Sequence, residues 1–365
     1  DGGVDFFLDT PYQNLALLLD IPIVKASEVS SDNPLGTGPY SLEEGIGGKH
    51  LQRVVNWWCK SEDLVAKDSS IALIEAESPS QIRDEFEFSG LSVVCTNPQT
   101  DSYADYRCDF ELWEVDSGFL MYIGCNVTYS NYFDDGTLRT FLTYGIDRQT
   151  LVDNNYGGLA LPTTLPISPM SPYYSKSLAA NYDYDEMRFI DAASKLRIPT
   201  NDKGVPRTLK LLVNSDDSAR LRCARNIAAT LTELGLACET VESPTSVYEA
   251  RLQAANYDIY LGITKLPATA DLSEFFRPWG DMSWGGLANE TIYTMVKQSL
   301  ADRGNYYNLH KLVEDNGHII PVMAGYYAIY AKRGVLSDLN PARDNVFYYT
   351  LGKTMESSKV ATQFS

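Results

Sequence analysis

Asn33-Pro-Leu-Gly-Thr-Gly-Pro-Tyr40 is the stretch of this 365-residue sequence that decides the fold. On its own it predicts a tight turn before a strand, because glycine reaches positive φ and proline fixes φ at about −65°. The segments before and after this turn follow a characteristic order. The apolar run Leu15–Val24 precedes the turn, and the blocks Tyr122–Asn126 and Leu138–Arg148 follow well after it. This order, rather than the turn alone, distinguishes the fold.

The composition describes an ordinary globular chain that is long enough for two domains. Hydrophobic residues make up 44% and charged residues 21% of the sequence, which is typical of soluble proteins. The longest apolar run, Ile319–Ala331, is interrupted by Pro321 and Gly325 and falls short of the roughly 18 residues that span a bilayer. Residues 1–20 contain neither the basic region nor the apolar region of a signal peptide.

The net charge excludes two classes of partner. A formal charge of −18 argues against nucleic acid, because phosphate binding needs a basic face. It also disfavours docking on an anionic membrane surface. Such acidity is compatible with a secreted protein that is kept soluble by self-repulsion.

Neither the cysteines nor the histidines form a known metal or catalytic signature. The six cysteines include no C-x-x-C pair, and buried free thiols are the preferred interpretation. Two disulfides, Cys223–Cys238 and Cys95–Cys108, remain open alternatives. The three histidines belong to no catalytic motif, and no G-x-S-x-G, H-E-x-x-H, Walker or dinucleotide-binding sequence occurs. We therefore expect no enzyme, no cofactor and no metal site.

The chain changes character twice along its length. Residues 1–120 predict strands and one helix, which begins after Ser78 and runs to about Phe88. Residues 126–315 alternate strands with helices, which implies parallel strands joined by right-handed crossovers. The strands predicted there are Leu209–Val213, Ala237–Val241 and Tyr257–Ile263. From Gly317 onward the pattern returns to strands.

This order of segments resembles the extracellular solute-binding proteins of ABC importers, of the oligopeptide- and dipeptide-binding type (family 5). Asp135–Leu151, with Ile146-Asp-Arg148, is similar to a helical element of that family. Asp271 and Phe275 fit its Asp-Pro-x-x-Phe pattern, except that Leu272 stands where the family has proline. Tyr306–Pro321 looks like its closing helix and second crossing. Each motif is weak alone. Together with the Gly-Thr-Gly-Pro-Tyr turn and the Tyr122–Asn126 block, five motifs occur in the family's order.

The resemblance implies an α/β, two-lobed periplasmic-binding-protein-like fold with a hinge. Residues 1–122 would form part of lobe I, residues 123–316 the α/β lobe II, and residues 317–365 the return to lobe I. In the family the Gly-Thr-Gly-Pro-Tyr turn lies well inside the protein, so lobe I is expected to be mixed in structure and truncated at its N-terminus. The hinge crossings would be Tyr122–Asn126 and Gly317–Pro321.

The resemblance also implies a function. The protein would capture a small solute, an oligopeptide or peptide-like molecule, by hinge closure and deliver it to an ABC permease of the membrane. It would be extracellular or periplasmic and anchored as a lipoprotein through the missing N-terminal part.

One departure from the family bears on the solute. Peptide-binding relatives carry a tryptophan and an acid before Asp271, and residues 262–270 contain neither but include Lys265. A sugar or metal chelate, or a sensor that transports nothing, are the alternatives.

Five residues are candidates for ligand contacts. The segment Phe275–Gly286 is the expected binding wall, in which Trp279 and Trp284 offer flat faces and Arg277 offers two donors to a carboxylate. The tryptophans would otherwise only pin a loop.

The other two candidates each have a structural alternative. Asp271 either binds ligand or caps a helix at Leu272–Phe276. Asn126 either contacts ligand from the hinge or satisfies backbone groups there.

Overall fold

The structure is a computed structural model that describes residues 5–336, except 20, 22, 33, 62–67, 89, 98–105 and 134–135, together with 339, 341 and 343. Parts of three predictions fall outside the described residues: Asn33 of the turn, Asp135 of the helical element, and most of the return segment after residue 336. The chain divides into two compact units. Unit 1 comprises 1–19 and 116–325, and unit 2 comprises 20–115 and 326–365.

In unit 2 the Gly-Thr-Gly-Pro-Tyr turn leads directly into a strand, as predicted. Unit 2 contains β1 (Tyr40–Gly45), β2 (Gly48–Arg53), β3 (Ser70–Ala72), α1 (Pro79–Phe88) and β4 (Val93–Thr96). Strands β1, β2 and β3 form an antiparallel sheet. The predicted helix start at Ser78 is confirmed, because the Ser78 hydroxyl accepts a hydrogen bond from the Gln81 N–H at 3.2 Å.

Unit 1 contains the α/β region. Its helices of eight or more residues are α3 (Arg148–Tyr156), α5 (Glu186–Lys195), α6 (Ser218–Glu233), α7 (Thr245–Gln253), α9 (Glu290–Ala301) and α10 (Tyr306–Asn316). Shorter ones are α2 (Thr137–Phe141), α4 (Lys176–Ala179) and α8 (Ser273–Phe276). Its strands are β6 (Leu161–Pro162), β7 (Leu209–Asn214), β8 (Cys238–Ser243) and β9 (Ile259–Lys265). Two longer strands, β5 (Phe110–Cys125) and β10 (Ile319–Lys332), have residues in both units.

The sheet of unit 1 has the parallel pairing that the sequence predicts. Strand β7 pairs in parallel with both β8 and β9. Strand β5 joins β9 in the antiparallel sense, with Phe119 opposite Lys265 and Cys125 opposite Ile259. Strand β10 follows β5 in the strand order, and β6 pairs with β10.

Both faces of this sheet are covered by helices. Along β5, Met121 and Ile123 point into one apolar cluster with residues of α2, α3, α5 and α6. Leu120 and Tyr122 point into the other, with residues of α4 and α7 to α10. A strand buried on both faces reads as a continuous apolar run, which is why the sequence identifies this part of β5.

The unit boundaries differ from the predicted lobe boundaries. They fall at 115/116 and 325/326, whereas the sequence analysis placed the crossings at Tyr122–Asn126 and Gly317–Pro321. Strands β5 and β10 run without a break across the unit boundaries at 115/116 and 325/326. The apolar pattern that marks burial in unit 1 therefore does not mark where the chain leaves this unit.

Residues 1–19 also differ in placement, because they belong to unit 1 rather than to lobe I. The Gln13 N–H donates to the Leu300 carbonyl at 2.9 Å, and the Tyr12 hydroxyl donates to the Thr269 hydroxyl at 3.0 Å.

All six cysteines are free thiols, as the preferred interpretation expects, but only Cys125 and Cys223 are buried, and Cys95 is exposed. Burial raises the pKa of the Cys125 and Cys223 thiols to about 12, so both are unreactive packing residues at neutral pH.

Candidate ligand-binding site

The sheet of unit 1 has two edges with different surroundings. Strands β7, β8 and β9 end at Asn214, Ser243 and Lys265 on one edge, which we call the carboxyl edge. The opposite, amino edge holds Asn126, which directly follows β5. Strand geometry places Phe119 and Cys125 at opposite edges, roughly 20 Å apart. Unit 1 begins along β5 at Asp116, so the chain enters it at the carboxyl edge.

The carboxyl edge is a rigid polar surface. Asn214 is buried and donates to the Thr245 hydroxyl at 3.0 Å while accepting from the Asp216 N–H at 2.8 Å. Asp216 accepts from the Thr245 N–H at 2.8 Å and hydroxyl at 2.7 Å. These hydrogen bonds hold the pKa of the Asp216 carboxyl below its usual value. The start of α7 is thereby fastened to the end of β7.

Two cationic side chains lie on this edge. Lys265 is exposed at the end of β9. Arg220, in the first turn of α6, has its guanidinium carbon 5.6 Å from the centre of the Tyr248 ring and its Nε 3.5 Å from Asp217 Oδ2. That Nε is buried and has no hydrogen-bond partner among the described residues. The edge therefore carries the positive charge of Lys265 and Arg220, and the buried Nε of Arg220 lies beside Asp217 without a hydrogen bond.

The backbone of β5 is irregular where it reaches this edge. Gly118 has a φ of 78°, a conformation that favours glycine. Its N–H donates to Asp116 Oδ1 at 2.8 Å, the Phe119 N–H donates to the Ser117 hydroxyl at 3.3 Å, and the Leu266 N–H donates to the Gly118 carbonyl at 2.8 Å. Side-chain oxygens thus replace part of the strand hydrogen bonding in the first residues of unit 1.

Asn126 lies at the other edge with its amide fully engaged. Its side-chain N–H groups donate to the carbonyls of Ala255 and Tyr257 at 2.9 and 2.8 Å, and its oxygen accepts from the Tyr129 N–H at 3.0 Å. The side chain is 1% exposed. These contacts are the ones that the structural alternative for Asn126 requires.

Arg277 is paired within its own turn. Its Nη2 and Nε donate to the two carboxylate oxygens of Glu274 at 2.7 and 3.0 Å. This hydrogen-bonded pairing with Arg277 lowers the pKa of Glu274. Both donors expected to hold a ligand carboxylate therefore already hold a carboxylate of the protein.

The two tryptophans of the expected wall differ from each other. Trp279 is 94% exposed, whereas Trp284 is half-buried and packs against the α7–α10 side of the sheet. Gly285, next to Trp284, packs so closely that an added Cβ would lie 2.9 Å from the Asn126 Cα. The end of this segment is thereby fixed at the amino edge.

Asp271 makes the local contact expected of a capping residue. Its Oδ1 accepts a hydrogen bond from the Ser273 N–H at 2.8 Å, at the first residue of α8. The structure brings Asn126 and the Trp284 segment together, while Asp271 and Arg277 lie at the two ends of α8.

Arg139 and Asp147, in the segment that resembles the family's helical element, make structural contacts. Arg139 donates to the Asn316 carbonyl at 2.8 Å, and Asp147 caps α3 by accepting from the Thr150 N–H at 3.1 Å. The sequence analysis did not identify Arg220. The signal available for it was its position just after a strand that runs parallel to its neighbours, since ligands of such sheets bind at the carboxyl ends of the strands.

The described part of the chain shows neither a cluster of metal ligands nor a membrane-spanning helix. It gathers no three His, Cys, Asp or Glu side chains in a geometry that would hold a metal ion. It also contains no helix with the length and apolar character needed to cross a membrane.

Comparison with known proteins identifies the family of this chain. The sequence profile of the bacterial extracellular solute-binding proteins, family 5 (middle region), matches residues 4–286, and the chain belongs to this family. No curated protein sequence matches the chain.

Solved structures share the fold at low sequence identity. A putative peptide-binding protein AppA from Clostridium difficile has a TM-score of 0.69 and 16% identity, over 87% of this chain and 67% of that one. NikZ from Campylobacter jejuni, in complex with Ni(L-His), has a TM-score of 0.63 and 15% identity, over 95% and 75%. The oligopeptide-binding protein AppA from Bacillus subtilis, in complex with a nonapeptide, has a TM-score of 0.56 and 14% identity, over 87% and 66%.

These findings confirm the predicted class. The fold is the mixed α/β fold of two-lobed periplasmic binding proteins. The protein is a substrate-binding component of an ABC importer. Its family consists of extracellular transport proteins rather than enzymes, and such proteins bind peptides or small ligands and work with a membrane permease.

Proposed function

We propose that this protein captures a peptide or peptide-like solute that carries a carboxylate, and that the solute contacts unit 1 at the carboxyl edge. The observation that carries the proposal is the pair of cations there, Lys265 and Arg220, beside the strand by which the chain enters the unit. Open α/β sheets bind ligands at the carboxyl ends of their strands. Arginine and lysine are the usual partners of a carboxylate.

The relatives' ligands support this chemistry. A nonapeptide and the nickel complex of L-histidine differ in size and charge distribution, but both contain a carboxylate. A metal chelate is the second candidate, and the absence of an acid between residues 262 and 270 favours it, since a peptide's α-amino group finds no counter-charge in that segment. A neutral sugar has no carboxylate to pair with Lys265 or Arg220, so we rank it behind the peptide and the metal chelate.

The sequence-predicted contacts enter this proposal unequally. Asn126, Trp284 and Trp279 belong to loops fixed at the amino edge, and Arg277 is held by Glu274. Asp271 follows β9 by six residues and lies nearer the carboxyl edge along the chain. We therefore retain Asp271 as a contact and place Lys265 and Arg220 first.

We further propose that capture proceeds by hinge closure, with the bending residues at the beginning of unit 1. A glycine at positive φ, supported by side-chain hydrogen bonds in place of strand pairing, absorbs dihedral change at low cost. Ligand binding would then stabilise the closed state over the open one.

A thermal-shift experiment tests the solute and the site together. Trialanine, trialanine amide, Ni(L-His) and maltose are each added to the purified protein at about 1 mM. This is about 100 times a Kd of about 10 μM, and binding then contributes about 2.7 kcal/mol to stability. We expect a rise in Tm with trialanine or Ni(L-His) and a smaller rise with the amide. Lys265→Ala should reduce the response.

Lys210→Ala is the matched control, because Lys210 is also exposed but lies near the amino-edge end of β7. An equal ligand-induced rise in Tm for the Lys265 and Lys210 variants would refute the placement of the solute at the carboxyl edge. A rise in Tm with maltose alone would refute the proposal that the solute carries a carboxylate.

The partner and location complete the proposal. We propose that the protein delivers its solute to one ABC permease, catalyses no reaction, and is held at the membrane as a lipoprotein. Tethering supports delivery because it raises the effective concentration of the binding protein at its permease. Detergent-phase partitioning of the full gene product tests the anchor, and recovery in the aqueous phase would reject it.

A further inference from the structure

Two neighbouring cavities lie beside the start of α3 in unit 1. One has a volume of about 260 Å³ and the other of about 340 Å³, and Ile146, Asp147 and Tyr184 line both of them. Small-molecule sites have volumes of roughly 300 to 1,000 Å³. The two adjoining cavities together therefore have the size of such a site.

The cavities are separate from the carboxyl edge. Arg148, which lines the smaller cavity, donates from its Nε to the Pro321 carbonyl at 2.8 Å. Pro321 lies near the start of β10. That start is at the amino edge, because the Cys125 N–H donates to the His318 carbonyl at 3.0 Å. A ligand in these cavities therefore occupies a different place from the proposed solute.

The smaller cavity contains a buried cation. Arg148 is 4% exposed. Its guanidinium donates to the carbonyls of Thr143, Ile146 and Pro321 at 3.2, 3.3 and 2.8 Å, and to the Thr143 hydroxyl at 2.7 Å. A guanidinium carries five N–H donors, so at least one of them has no acceptor among the described residues. Glu314, whose charge also acts on Arg148, does not line this cavity.

A phenol and a carboxylate complete the smaller cavity. Burial raises the pKa of the Tyr174 phenol, and the hydroxyls of Thr163 and Thr164 beside it oppose the rise. The charges of Asp183 and Arg148 also act on this phenol, so these groups lie close together on the cavity wall. Asp183 is exposed, and its carboxylate accepts no hydrogen bond within the described part of the chain. The cavity thus combines a positive and a negative group that can both bind a ligand.

The larger cavity suits a polar side chain. Its wall combines apolar side chains of α3 and α6 with the Glu233 carboxylate and with amide and hydroxyl groups, those of Asn154, Asn226, Thr150 and Thr230. The Asn226 amide donates to Asn155 Oδ1 at 3.2 Å, which fixes its orientation. Hydrogen-bonding groups are therefore present on both helices that border this cavity.

We propose that the two cavities form a binding site for a free α-amino acid with a polar side chain. The carboxylate of the amino acid accepts hydrogen bonds from Arg148 and the Tyr174 hydroxyl, and its ammonium group pairs with Asp183. Its side chain passes Tyr184 into the larger cavity. Hydrogen bonds that involve ionised groups are about twice as strong as neutral ones, so both charged ends contribute to the affinity.

Ligands with a single charge fit this site less well. An anion would lie against the carboxylates of Asp183 and Asp147, and a cation would lie against the buried guanidinium of Arg148. Like charges in contact oppose binding. A zwitterion matches both signs within one cavity. The volume of that cavity, about 260 Å³, lies below the range of sites for drug-sized ligands, as expected for the charged end of an amino acid.

Isothermal titration calorimetry on the purified protein tests the ligand chemistry. The probes are L-glutamine, L-glutamine amide, which lacks the carboxylate, and glutaramic acid, which lacks the amino group. We expect L-glutamine to bind and each analogue to bind at least about tenfold more weakly, because each loses one charge-assisted hydrogen bond. No heat of binding with L-glutamine, or equal affinity for the three probes, would overturn the proposal.

Substitutions test the place of binding. Asp183→Asn should weaken L-glutamine binding at least about tenfold at unchanged Tm, and Tyr174→Phe should weaken it as well. Asp202→Asn is the matched control, because Asp202 is also exposed in unit 1 but lines neither cavity. The inference does not rest on the proposed solute site, so Lys265→Ala should bind L-glutamine as the wild type does. Wild-type affinity in Asp183→Asn, or loss of L-glutamine binding in Lys265→Ala, would overturn the proposal.

Discussion

His310 makes the stability of this protein depend on pH, and His310→Leu isolates the effect. The side chain lies in α10 with 0% exposure, and neither ring nitrogen has a hydrogen-bond partner among the described residues. Burial lowers the pKa of His310 from 6.5 to about 4. Because the unfolded chain binds the proton more readily, stability is complete above pH 6.5 and is lost as the pH falls towards 4.

The size of the effect follows from the two pKa values. With 6.5 in the unfolded chain and about 4 in the folded protein, the contribution lost between pH 7.5 and pH 4.5 is about 2.5 kcal/mol. Leucine at this position cannot titrate, so the variant should gain that amount over wild type on acidification. It should also be more stable by about 1 to 3 kcal/mol at pH 7.5, because no buried nitrogen is left unpaired.

Neighbouring ionisable groups act in both proteins and cancel in the comparison. Burial lowers the pKa of His318 to about 4 as well, which weakens both proteins in acid. Burial raises the pKa of the Glu314 carboxyl, with Arg148 opposing the shift, so its contribution becomes more favourable as the pH falls. The difference between variant and wild type therefore reports His310.

Urea unfolding followed by circular dichroism at pH 7.5 and 4.5 measures the effect. His50→Leu, on the partly exposed β2 strand of unit 2, controls for the loss of a histidine. Equal free energies of unfolding for wild type and His310→Leu at pH 4.5 would refute the reasoning, since it would mean that His310 takes up its proton without cost.

Three further substitutions test the packing of unit 1. Gly124→Ala places a Cβ 2.2 Å from the Tyr260 ring, so we expect a loss of about 2 to 3 kcal/mol in chemical denaturation; an unchanged midpoint would show that the ring moves freely. Asn126→Ala removes the three hydrogen bonds of a buried side chain and should cost about 2 to 4 kcal/mol, while the solute affinity measured by calorimetry stays unchanged. Weaker binding by the folded variant would mean that Asn126 contacts the ligand. Arg148→Met removes donors to the Pro321 and Thr143 carbonyls and leaves Glu314 without its cation. We expect the free energy of unfolding to fall by about 3 to 5 kcal/mol. The decrease should be smaller at low pH, where Glu314 is neutral.

The sequence identifies elements whose signals are local. Helix α6 is an example, because Asp217 accepts from the Arg220 N–H at 2.9 Å at one end and Gly235 adopts a φ of 96° past the other. Both positions are visible as cap residues in the sequence. Strand β7 is found in the same way, since its buried residues form a short apolar run.

Elements that depend on distant partners were missed. The first part of β5, Phe110–Val115, mixes acidic and apolar residues without strict alternation, and its continuity with the buried second part is set by pairing. Tyr12 and Gln13 are held on unit 1 by hydrogen bonds to Thr269 and Leu300. Those partners lie more than 250 residues away, so no local pattern announces them.

In the candidate site, too, local contacts are visible in the sequence and contacts with distant residues are not. Asp271 was open between two roles, and its hydrogen bond to the Ser273 N–H is a local one. Which edge of the sheet carries Trp279, Trp284 and Asn126 depends on the register of β5 against β9, which no local pattern determines. Arg277 looked available for a ligand, although Glu274 three residues earlier is at helical pairing distance.

Native mass spectrometry of the full gene product as purified, with wild type and Lys265→Glu compared side by side, tests the central claim most directly. We predict that the wild type retains an adduct whose mass matches a peptide or a carboxylate-bearing chelate, and that the variant retains little or none. Adducts of equal mass and abundance on both proteins would contradict the claim that the carboxyl edge holds the solute.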